Sequence, residues 1–306
     1  MDKKTQGYIL AAFSAATYGM NPLFSLPLYA DGMGVDSVLF FRYLFAVPMV
    51  ALMVKSRGRS FAIGKGELLP LLMVGLFFVL SSITLFRSYL FMDSGIASTI
   101  LFIYPVMVAL IMAIFFKEKI SLQTWLCIAM ALAGIGLLYK APDGAVLSTA
   151  GILYVLGSAL AYTLYIVAIN KTILKDVPSV KVTFYVILLG FLIFGAIVLF
   201  GDGLQTPTKW WLWLDIFAFA LFPTVISMYC ATKAITYIGS TATAILGALE
   251  PVTAVFFGLA LFGETLTARG VAGLVLIIVS VTFVVGGGNI SAPLVRMKKL
   301  FPKLKK

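Results

Sequence analysis

Ten runs of apolar residues follow one another along the chain, each about 20 residues long and separated from the next by a short polar segment. Continuous runs of this length predict transmembrane helices, because a helix of about 20 residues crosses the hydrocarbon core of a bilayer. A transmembrane β-barrel would instead show segments of about ten residues with alternating polarity. The predicted spans are residues 7–28, 35–54, 68–89, 95–116, 121–139, 147–170, 182–200, 211–234, 240–262 and 267–285.

The composition agrees with an all-α integral membrane protein. Hydrophobic residues make up 61% of the 306 residues, charged residues make up 11%, and the mean hydropathy is +1.07. A soluble domain with this balance would expose too much apolar surface. The two cysteines lie inside apolar runs and predict packing residues rather than a disulfide framework. The chain has no histidine, and we predict neither a cofactor nor a metal site.

The net charge of +11 carries information about topology. With the N-terminus placed in the cytoplasm, seventeen lysines and arginines fall in cytoplasmic segments and three, Lys140, Lys209 and Arg269, fall outside. This bias predicts that both termini are cytoplasmic. It also argues against nucleic-acid binding, because the basic residues occupy alternate loops and the termini rather than one face. The first run is too long for a cleaved signal peptide and is predicted to be a retained span.

An internal repeat relates the two halves of the chain at an offset of 146 residues. Six identities connect residues 81–140 with residues 227–286, among them Pro105 with Pro251 and Glu118 with Glu264. Each half holds five predicted spans, so the division is residues 1–146, residues 147–290 and a basic cytoplasmic tail, 291–306. An odd number of spans per half places the second half upside down, which is the inverted repeat of many secondary transporters.

Pro105 and Pro251 lie in the middle of their spans. Each removes one backbone donor, so we expect a kink that leaves the carbonyls of Leu101 and Gly247 free. Two interpretations stay open, a packing kink or a hinge beside a cavity. Because the two prolines lie at equivalent depth in an inverted repeat, we assign them a hinge role.

These residues carry a resemblance to a known family. Leu249-Glu250-Pro251 followed by Gly263-Glu264-Thr265-Leu266-Thr267, with Pro105 and Lys117-Glu118-Lys119 in the first half and Arg42 in span 2, resembles EamA-type proteins of the drug/metabolite transporter superfamily. The resemblance implies a ten-helix basket with a central cavity lined by spans 1–4 and 6–9. It also implies movement of small metabolites, most often export, across the plasma membrane, which is the inner membrane of a bacterial cell. The first half has Tyr104 where the second half has Glu250, so a mechanism that needs two symmetric carboxylates does not fit.

Glu250 is the candidate for proton coupling. An ionised carboxylate at this depth costs about 2.5 kcal/mol or more to insert, so it needs a partner, water or a proton. The alternative is a neutral carboxyl that bonds backbone opened by the neighbouring proline. Arg42 is predicted either to bind a substrate carboxylate or to pair with Glu250, and the alternative is an arginine that reaches the outer interface.

Polar side chains on the spans that should line the cavity form the candidate substrate-binding group. These residues are Tyr18, Asn21, Arg42, Tyr104, Tyr162, Tyr165 and Tyr229. Aromatic rings with a few hydrogen-bonding groups suit an amphipathic or amino-acid-like solute. Singly, each tyrosine is as well explained by a bond between helices.

The sequence therefore predicts a secondary transporter of a small molecule that works by alternating access, as a monomer or homodimer. A sensor or assembly protein without transport is the alternative. A membrane enzyme fits least well, because the chain has no histidine and only one deep acid. An ion channel should show rings of like charge or carbonyl filters, and neither is visible.

Overall fold

Every regular element is helical in the residues that the structure describes. A computed structural model describes residues 2–117, 122–138, 148–201, 203–247, 249–280 and 282–283. The helices are α1 (Lys3–Tyr18), α2 (Asn21–Ala30), α3 (Val35–Ser56), α4 (Leu68–Ser88), α5 (Ser94–Leu101), α6 (Tyr104–Phe116), α7 (Leu122–Leu138), α8 (Thr149–Lys171), α9 (Ser179–Phe200), α10 (Trp211–Phe219), α11 (Ser227–Leu246), α12 (Leu249–Leu261) and α13 (Ala268–Ser280). A π-helix, Ala220–Ile226, joins α10 to α11.

Within the part of the chain that the structure describes, six helical segments are long and apolar enough to cross a membrane. They are Val35–Ser56, Leu68–Ser88, Ser94–Phe116, Thr149–Ile169, Ser179–Phe200 and Trp211–Ala231. The other predicted spans coincide with helices that are interrupted or shorter, such as α12 and α13. The chain is thus a multi-pass helical membrane protein, and the number of ten spans stays a prediction. The predicted basic tail, residues 291–306, lies outside the described residues.

Three predicted spans are interrupted near their middles. The first separates α1 from α2 at Gly19 and Met20, and the second separates α5 from α6 at Phe102 and Ile103. The third lies between α11 and α12, which begins 145 residues after α6. The second and third interruptions therefore occur at equivalent places in the two halves.

The expectation of kinked helices at the two prolines needs correction. Pro105 is the second residue of α6 and Pro251 the third residue of α12, so each proline begins a new half-helix. The first turn of a helix tolerates proline because its N–H groups have no partner within the helix. The carbonyl of Gly247 is also not free, since the Glu250 N–H donates to it at 2.9 Å.

Predicted span 8 departs from the expected geometry in two ways. Its centre is the π-helix, in which Pro223 removes one backbone donor. Further along, α11 runs through residues 235–239, where the sequence analysis placed a loop between spans 8 and 9. That segment contains no proline, and a single glycine such as Gly239 costs a helix only about 1 kcal/mol. The helix therefore continues.

Helices α3 and α9 lie against each other and run in opposite directions. Phe40 stacks on Phe191 at 5.5 Å between ring centroids, and Tyr43 stacks on Phe194 at 5.6 Å. Toward the other end of α3, Val50 and Met53 line the same small crevice as Val180. From Phe40, which faces Phe191, to Val50, which lies beside Val180, residue numbers rise along α3 and fall along α9. The two helices are therefore antiparallel. The two helices are the second span of their respective halves and have 22 residues each.

Two serine pairs join the halves in matching ways. In α1, Ser14 Oγ donates to the Ser227 carbonyl at 2.8 Å, and Ser227 Oγ donates to the Ser14 carbonyl at 3.0 Å. In α8, Ser158 Oγ donates to the Ser81 carbonyl of α4 at 2.8 Å. Ser227 lies 146 residues after Ser81, and Ser158 lies 144 residues after Ser14. The contact of span 1 with span 8 is thus repeated by the contact of span 6 with span 3.

Two loops tie α3 and α9 together at opposite ends. At one end, the segment 203–210 docks on the start of α3, where Gln205 N donates to Ser37 Oγ at 3.0 Å and Thr208 N donates to Asp31 at 2.7 Å. At the other end, the segment 57–67 docks on the start of α9, where Lys181 Nζ contacts Glu67 Oε2 at 2.6 Å. The hydrogen bonds from Thr208 hold the pKa of Asp31 below its ordinary value, and the bond from Lys181 does the same for the pKa of Glu67.

Candidate functional site

The interruption between α1 and α2 packs directly against the start of α12. A Cβ atom added to Gly19 would lie 2.5 Å from the Glu250 carbonyl oxygen and 2.7 Å from the Thr253 Cβ. Only glycine leaves room for this approach. Because span 1 belongs to the first half and α12 to the second, the contact brings the two interrupted spans together at the seam between the halves.

The Glu250 side chain points into this seam and is partly buried. It interacts electrostatically with four tyrosine hydroxyls, those of Tyr18, Tyr89, Tyr104 and Tyr162. It makes no hydrogen bond or ion pair with another side chain within the described part of the protein. The carboxyl group therefore lies among polar tips in the interior, with capacity to bind a further donor.

A continuous row of aromatic rings forms one wall beside Glu250. Tyr104 and Tyr162 meet edge to face at 4.8 Å between centroids, and Tyr162 stacks on Tyr165 at 5.6 Å. Phe102 extends the row at one end and Phe78 at the other. The rings come from α4, α6 and α8 and from the turn before α6, so both halves contribute to the wall. The predicted tyrosines of spans 4 and 6 are thus brought together.

Arg42 is buried between residues of both halves, with 2% of its surface exposed. Its Nε donates to Thr224 Oγ1 at 2.8 Å. The guanidinium carbon lies 4.6 Å from the centroid of the Phe219 ring and 5.2 Å from that of Phe86. Its two terminal nitrogens make no hydrogen bond to any residue that the structure describes. A buried positive charge without an anionic partner is costly, and cation–π contacts of about 2 kcal/mol offset only part of that cost.

The π-helix explains how Thr224 reaches Arg42. Thr224 Oγ1 donates to the Phe219 carbonyl five residues earlier, at 3.3 Å, and accepts from Arg42 with its remaining capacity. The wider turn of a π-helix alters which side chains face the protein interior beyond it, so Phe219 and Thr224 both contact Arg42. The sequence analysis assigned no role to Pro223. This proline was the one sequence feature that could have indicated the irregular turn.

Two polar atoms near this site are buried without a hydrogen-bond partner among the residues that the structure describes. They are Asn21 Oδ1, at the first residue of α2, and Ser25 Oγ, one helical turn later. Residues four apart share a face of a helix, and the next residue on that face is Tyr29, which interacts electrostatically with Arg42. The α2 face that carries Asn21, Ser25 and Tyr29 thus faces the Arg42 region and offers unused hydrogen-bonding capacity there.

Arg42 and Glu250 do not form an ion pair. No guanidinium nitrogen of Arg42 comes within 4 Å of a Glu250 carboxylate oxygen, whereas Tyr18 interacts electrostatically with both residues. Tyr18 is therefore the predicted residue that connects the cationic and acidic parts of the site. Tyr89 also interacts with both charges and was missed, because it lies at the end of a predicted span.

Tyr229 is the one predicted tyrosine that lies elsewhere. Its ring packs under the Arg57 guanidinium, at 4.4 Å from the centroid, near the end of α3 that carries the basic residues. The remaining predicted tyrosines belong to the seam, with Tyr18 and Tyr104 beside Glu250 and Tyr162 and Tyr165 continuing the aromatic wall. The structure thus separates the candidate group into a seam site and a single distant residue.

A further acid with a buried oxygen lies near the start of predicted span 8. Asp215 is the fifth residue of α10, and its Oδ2 is buried without a hydrogen-bond partner among the described residues. The sequence could have indicated Asp215, because it is an acidic residue inside an apolar run. Among the described residues, no three His, Cys, Asp or Glu side chains cluster closely enough to hold a metal ion.

Glu264 joins the halves at the end of α12. Its carboxylate accepts hydrogen bonds from Ser94 N at 2.7 Å, Ser94 Oγ at 2.5 Å and Gly95 N at 3.1 Å. These are the first N–H groups of α5, which have no partner within the helix and favour a negative charge. Glu264 therefore has a structural role, since its carboxylate holds the start of α5.

Comparisons with known proteins agree with the two-part organisation. A sequence profile described as EamA-like transporter family matches residues 5–140 and, a second time, residues 149–286. No curated protein matches the chain. One solved chain, described as "Crystal structure of protein", aligns over 91% of this chain and 97% of its own length with a TM-score of 0.68. The TM-score shows a shared fold. At a sequence identity of 16%, the match carries no information about function.

Proposed function

We propose, from the premise that the chain belongs to the EamA-like transporter family, that it is a secondary transporter of a small solute. The family is one of membrane transporters and not of enzymes. The proposal assigns ten spans in two inverted five-helix repeats, with both termini in the cytoplasm and the protein in the inner membrane of a bacterial cell. The solute is amino-acid-like or amphipathic, and the expected direction is export.

The contacts between the halves support an inverted repeat. Equivalent helices α3 and α9 run antiparallel, and the two serine pairs repeat one contact with the roles of the halves exchanged. Such an arrangement gives two conformations of similar energy, each open to one side of the membrane. Alternating access is the use that transporters make of this property.

The observation that carries the proposal is the uncompensated charge of Arg42 at the seam. The guanidinium is buried, its rings and Thr224 fix its position, and two terminal nitrogens stay available. A planar pair of N–H donors matches a carboxylate or phosphate in a bidentate bond. A solute with such a group would supply the missing negative charge. Asn21, Ser25 and Glu250 offer acceptors for a donor on the same solute.

Proton coupling through Glu250 is part of the proposal. The carboxyl is interior, has tyrosine hydroxyls around it and makes no ion pair within the described residues. Acids inside membrane spans are by default functional. A neutral Glu250 that serves packing alone is the alternative, and it predicts transport without pH dependence.

The test compares solutes that differ by one carboxylate. Purified protein is screened by thermal shift against amino acids and against the amines that remain after removal of their carboxylate. A bound solute stabilises by about 2.7 kcal/mol at a hundredfold excess over Kd. We expect stabilisation by a subset of the acids and by none of the matched amines, with loss in Arg42→Gln and retention in Arg87→Gln, whose arginine pairs with Asp36 at 3.3 Å.

Stabilising solutes are then followed as flux into liposomes. Binding without flux would favour the sensor or assembly alternative over transport. Equal stabilisation by acid and amine, or an unchanged response in Arg42→Gln, would remove Arg42 from the site.

A further inference from the structure

The Tyr229 ring is in contact with two cations that come from different halves of the chain. The Arg57 guanidinium lies 4.4 Å from the centroid of its ring, and Lys233 Nζ lies 5.6 Å from the same centroid. Arg57 follows the last residue of α3, and Lys233 belongs to α11, one helical turn after Tyr229. The two charges are therefore within about 10 Å of each other.

These cations have no acidic partner in the described part of the chain. Neither Arg57 nor Lys233 forms an ion pair there, and the carboxylate of Glu67, in the loop that follows Arg57, is bound by Lys181 at 2.6 Å. Two like charges near one ring repel each other, and the repulsion is stronger at the membrane boundary than in bulk water. An anion held between them would remove this repulsion.

The surroundings of the two cations are those expected at the level of the lipid headgroups. Arg57 ends a helix that is apolar enough to cross the membrane, and both cations are partly exposed. Below the ring, an apolar crevice is lined by Val50, Met53 and Met228 together with Tyr229 itself. Cations and tyrosine at the end of a span are typical of the membrane interface, where basic residues attract anionic lipids.

We propose that Arg57, Lys233 and the Tyr229 hydroxyl bind the phosphate of an anionic phospholipid. The guanidinium and ammonium groups donate charge-assisted hydrogen bonds to the phosphate oxygens, and the phenol donates a third. Because α3 belongs to the first half and α11 to the second, one lipid phosphate connects the halves at the end of the protein that carries the basic residues. The site is separate from the Arg42 and Glu250 seam and does not depend on the transport proposal.

The experiment measures the thermal stability of detergent-solubilised protein with added short-chain phosphatidylglycerol. Phosphatidylcholine of the same chain length and glycerol phosphate are the comparison probes. The variant Arg57→Gln/Lys233→Gln removes both cations. Lys55→Gln/Arg59→Gln is the matched control, because it removes the same charge from two exposed residues at the same end of α3.

We expect phosphatidylglycerol to raise Tm of the wild type and of the control variant, and this rise to fall by half or more in Arg57→Gln/Lys233→Gln. Exchange of the two cations, Arg57→Lys/Lys233→Arg, keeps the charge and should keep most of the rise, which separates binding from general damage to the fold. An unchanged rise in Arg57→Gln/Lys233→Gln would overturn the site. An equal loss in the control would show diffuse attraction, and an equal rise with glycerol phosphate would show a soluble anion as the ligand; both also overturn it.

Discussion

Glu250 and Arg42 illustrate how single residues define the seam. Both are charged side chains in apolar spans, but their environments differ. Arg42 is fixed by Thr224 and by aromatic rings, whereas Glu250 interacts electrostatically with tyrosine hydroxyls and has no side-chain hydrogen bond within the described residues. A fixed cation suits recognition of a solute, and a less constrained carboxyl suits exchange of a proton. We therefore expect substitution of Arg42 to affect solute recognition and substitution of Glu250 to affect proton exchange.

Glu250→Gln separates coupling from packing. Glutamine has nearly the same shape and cannot ionise, so we expect solute flux in liposomes to lose its dependence on an imposed pH gradient. Solute binding that depends on Arg42 should persist. Full flux with the wild-type response to the gradient would contradict the coupling role.

Gly19→Ala tests the close approach of the interrupted spans. The added methyl group would lie 2.5 Å from the Glu250 carbonyl oxygen, so we expect a loss of about 1–3 kcal/mol in the free energy of unfolding from overpacking. Gly157→Ala in α8 is the control, because no atom lies within 4 Å of its added Cβ. Thermal unfolding in detergent measures both, and equal effects in the two variants would show that the seam is not closely packed at Gly19.

At the scale of elements, the interruptions and the π-helix matter more than the long helices. The continuous spans α3, α4, α8 and α9 pack through apolar faces and serine pairs. The interrupted spans instead offer helix ends at membrane depth, where N–H groups and carbonyls need other partners. Tyr18, Asn21, Tyr104 and Glu250 lie beside those interruptions, whereas Arg42 comes from the continuous helix α3.

Glu264 holds the N-terminal end of α5, and the substitution Glu264→Gln should loosen that end of the helix. Glutamine keeps one acceptor but loses the charge and the second oxygen, so we expect a loss of about 1–2 kcal/mol in stability. Hydrogen exchange of the Ser94 and Gly95 amides should accelerate, because these N–H groups donate to the carboxylate. Glu67→Gln, an acid-to-amide change at the other end of the protein, should leave those two amides protected. Unchanged exchange in Glu264→Gln would contradict the bridge.

For the whole molecule, the pairing of equivalent elements is the main feature. The loop segment 203–210 docks on α3 and the segment 57–67 docks on α9, at opposite ends of the same helix pair. Together with the antiparallel helices, these contacts are the ones that the proposed inverted arrangement of the two halves requires.

The inverted topology predicts that these two loops face opposite sides of the membrane. In a background without the native cysteines, Thr206→Cys should react with an impermeant maleimide in intact cells. Ser60→Cys should react only after the membrane is permeabilised. Both residues are exposed, so access is not limited by burial. Labelling of both positions from the same side would refute the inverted arrangement.

The sequence by itself determined the class of protein, the repeat and most residues of the seam. Apolar runs long enough to cross a bilayer require helices, because lipid offers the backbone no hydrogen bonds. The same runs made Glu250 and Arg42 conspicuous, since a charge in such a run needs a special environment. The repeated proline also located the equivalent interruptions of spans 4 and 9, although their form as separate half-helices was not foreseen.

Only the tertiary structure decided which polar residues meet. The sequence places Tyr229 and Tyr162 on similar spans. In the folded protein, Tyr229 contacts Arg57, whereas Tyr162 interacts with Glu250. The sequence could not reveal that Thr224 contacts Arg42, because the π-helix that places Thr224 there depends on how neighbouring helices accommodate Pro223. Hydrophobic pattern sets which segments are helices, whereas the rotation and contacts of each helix arise from side chains that are far apart in the chain.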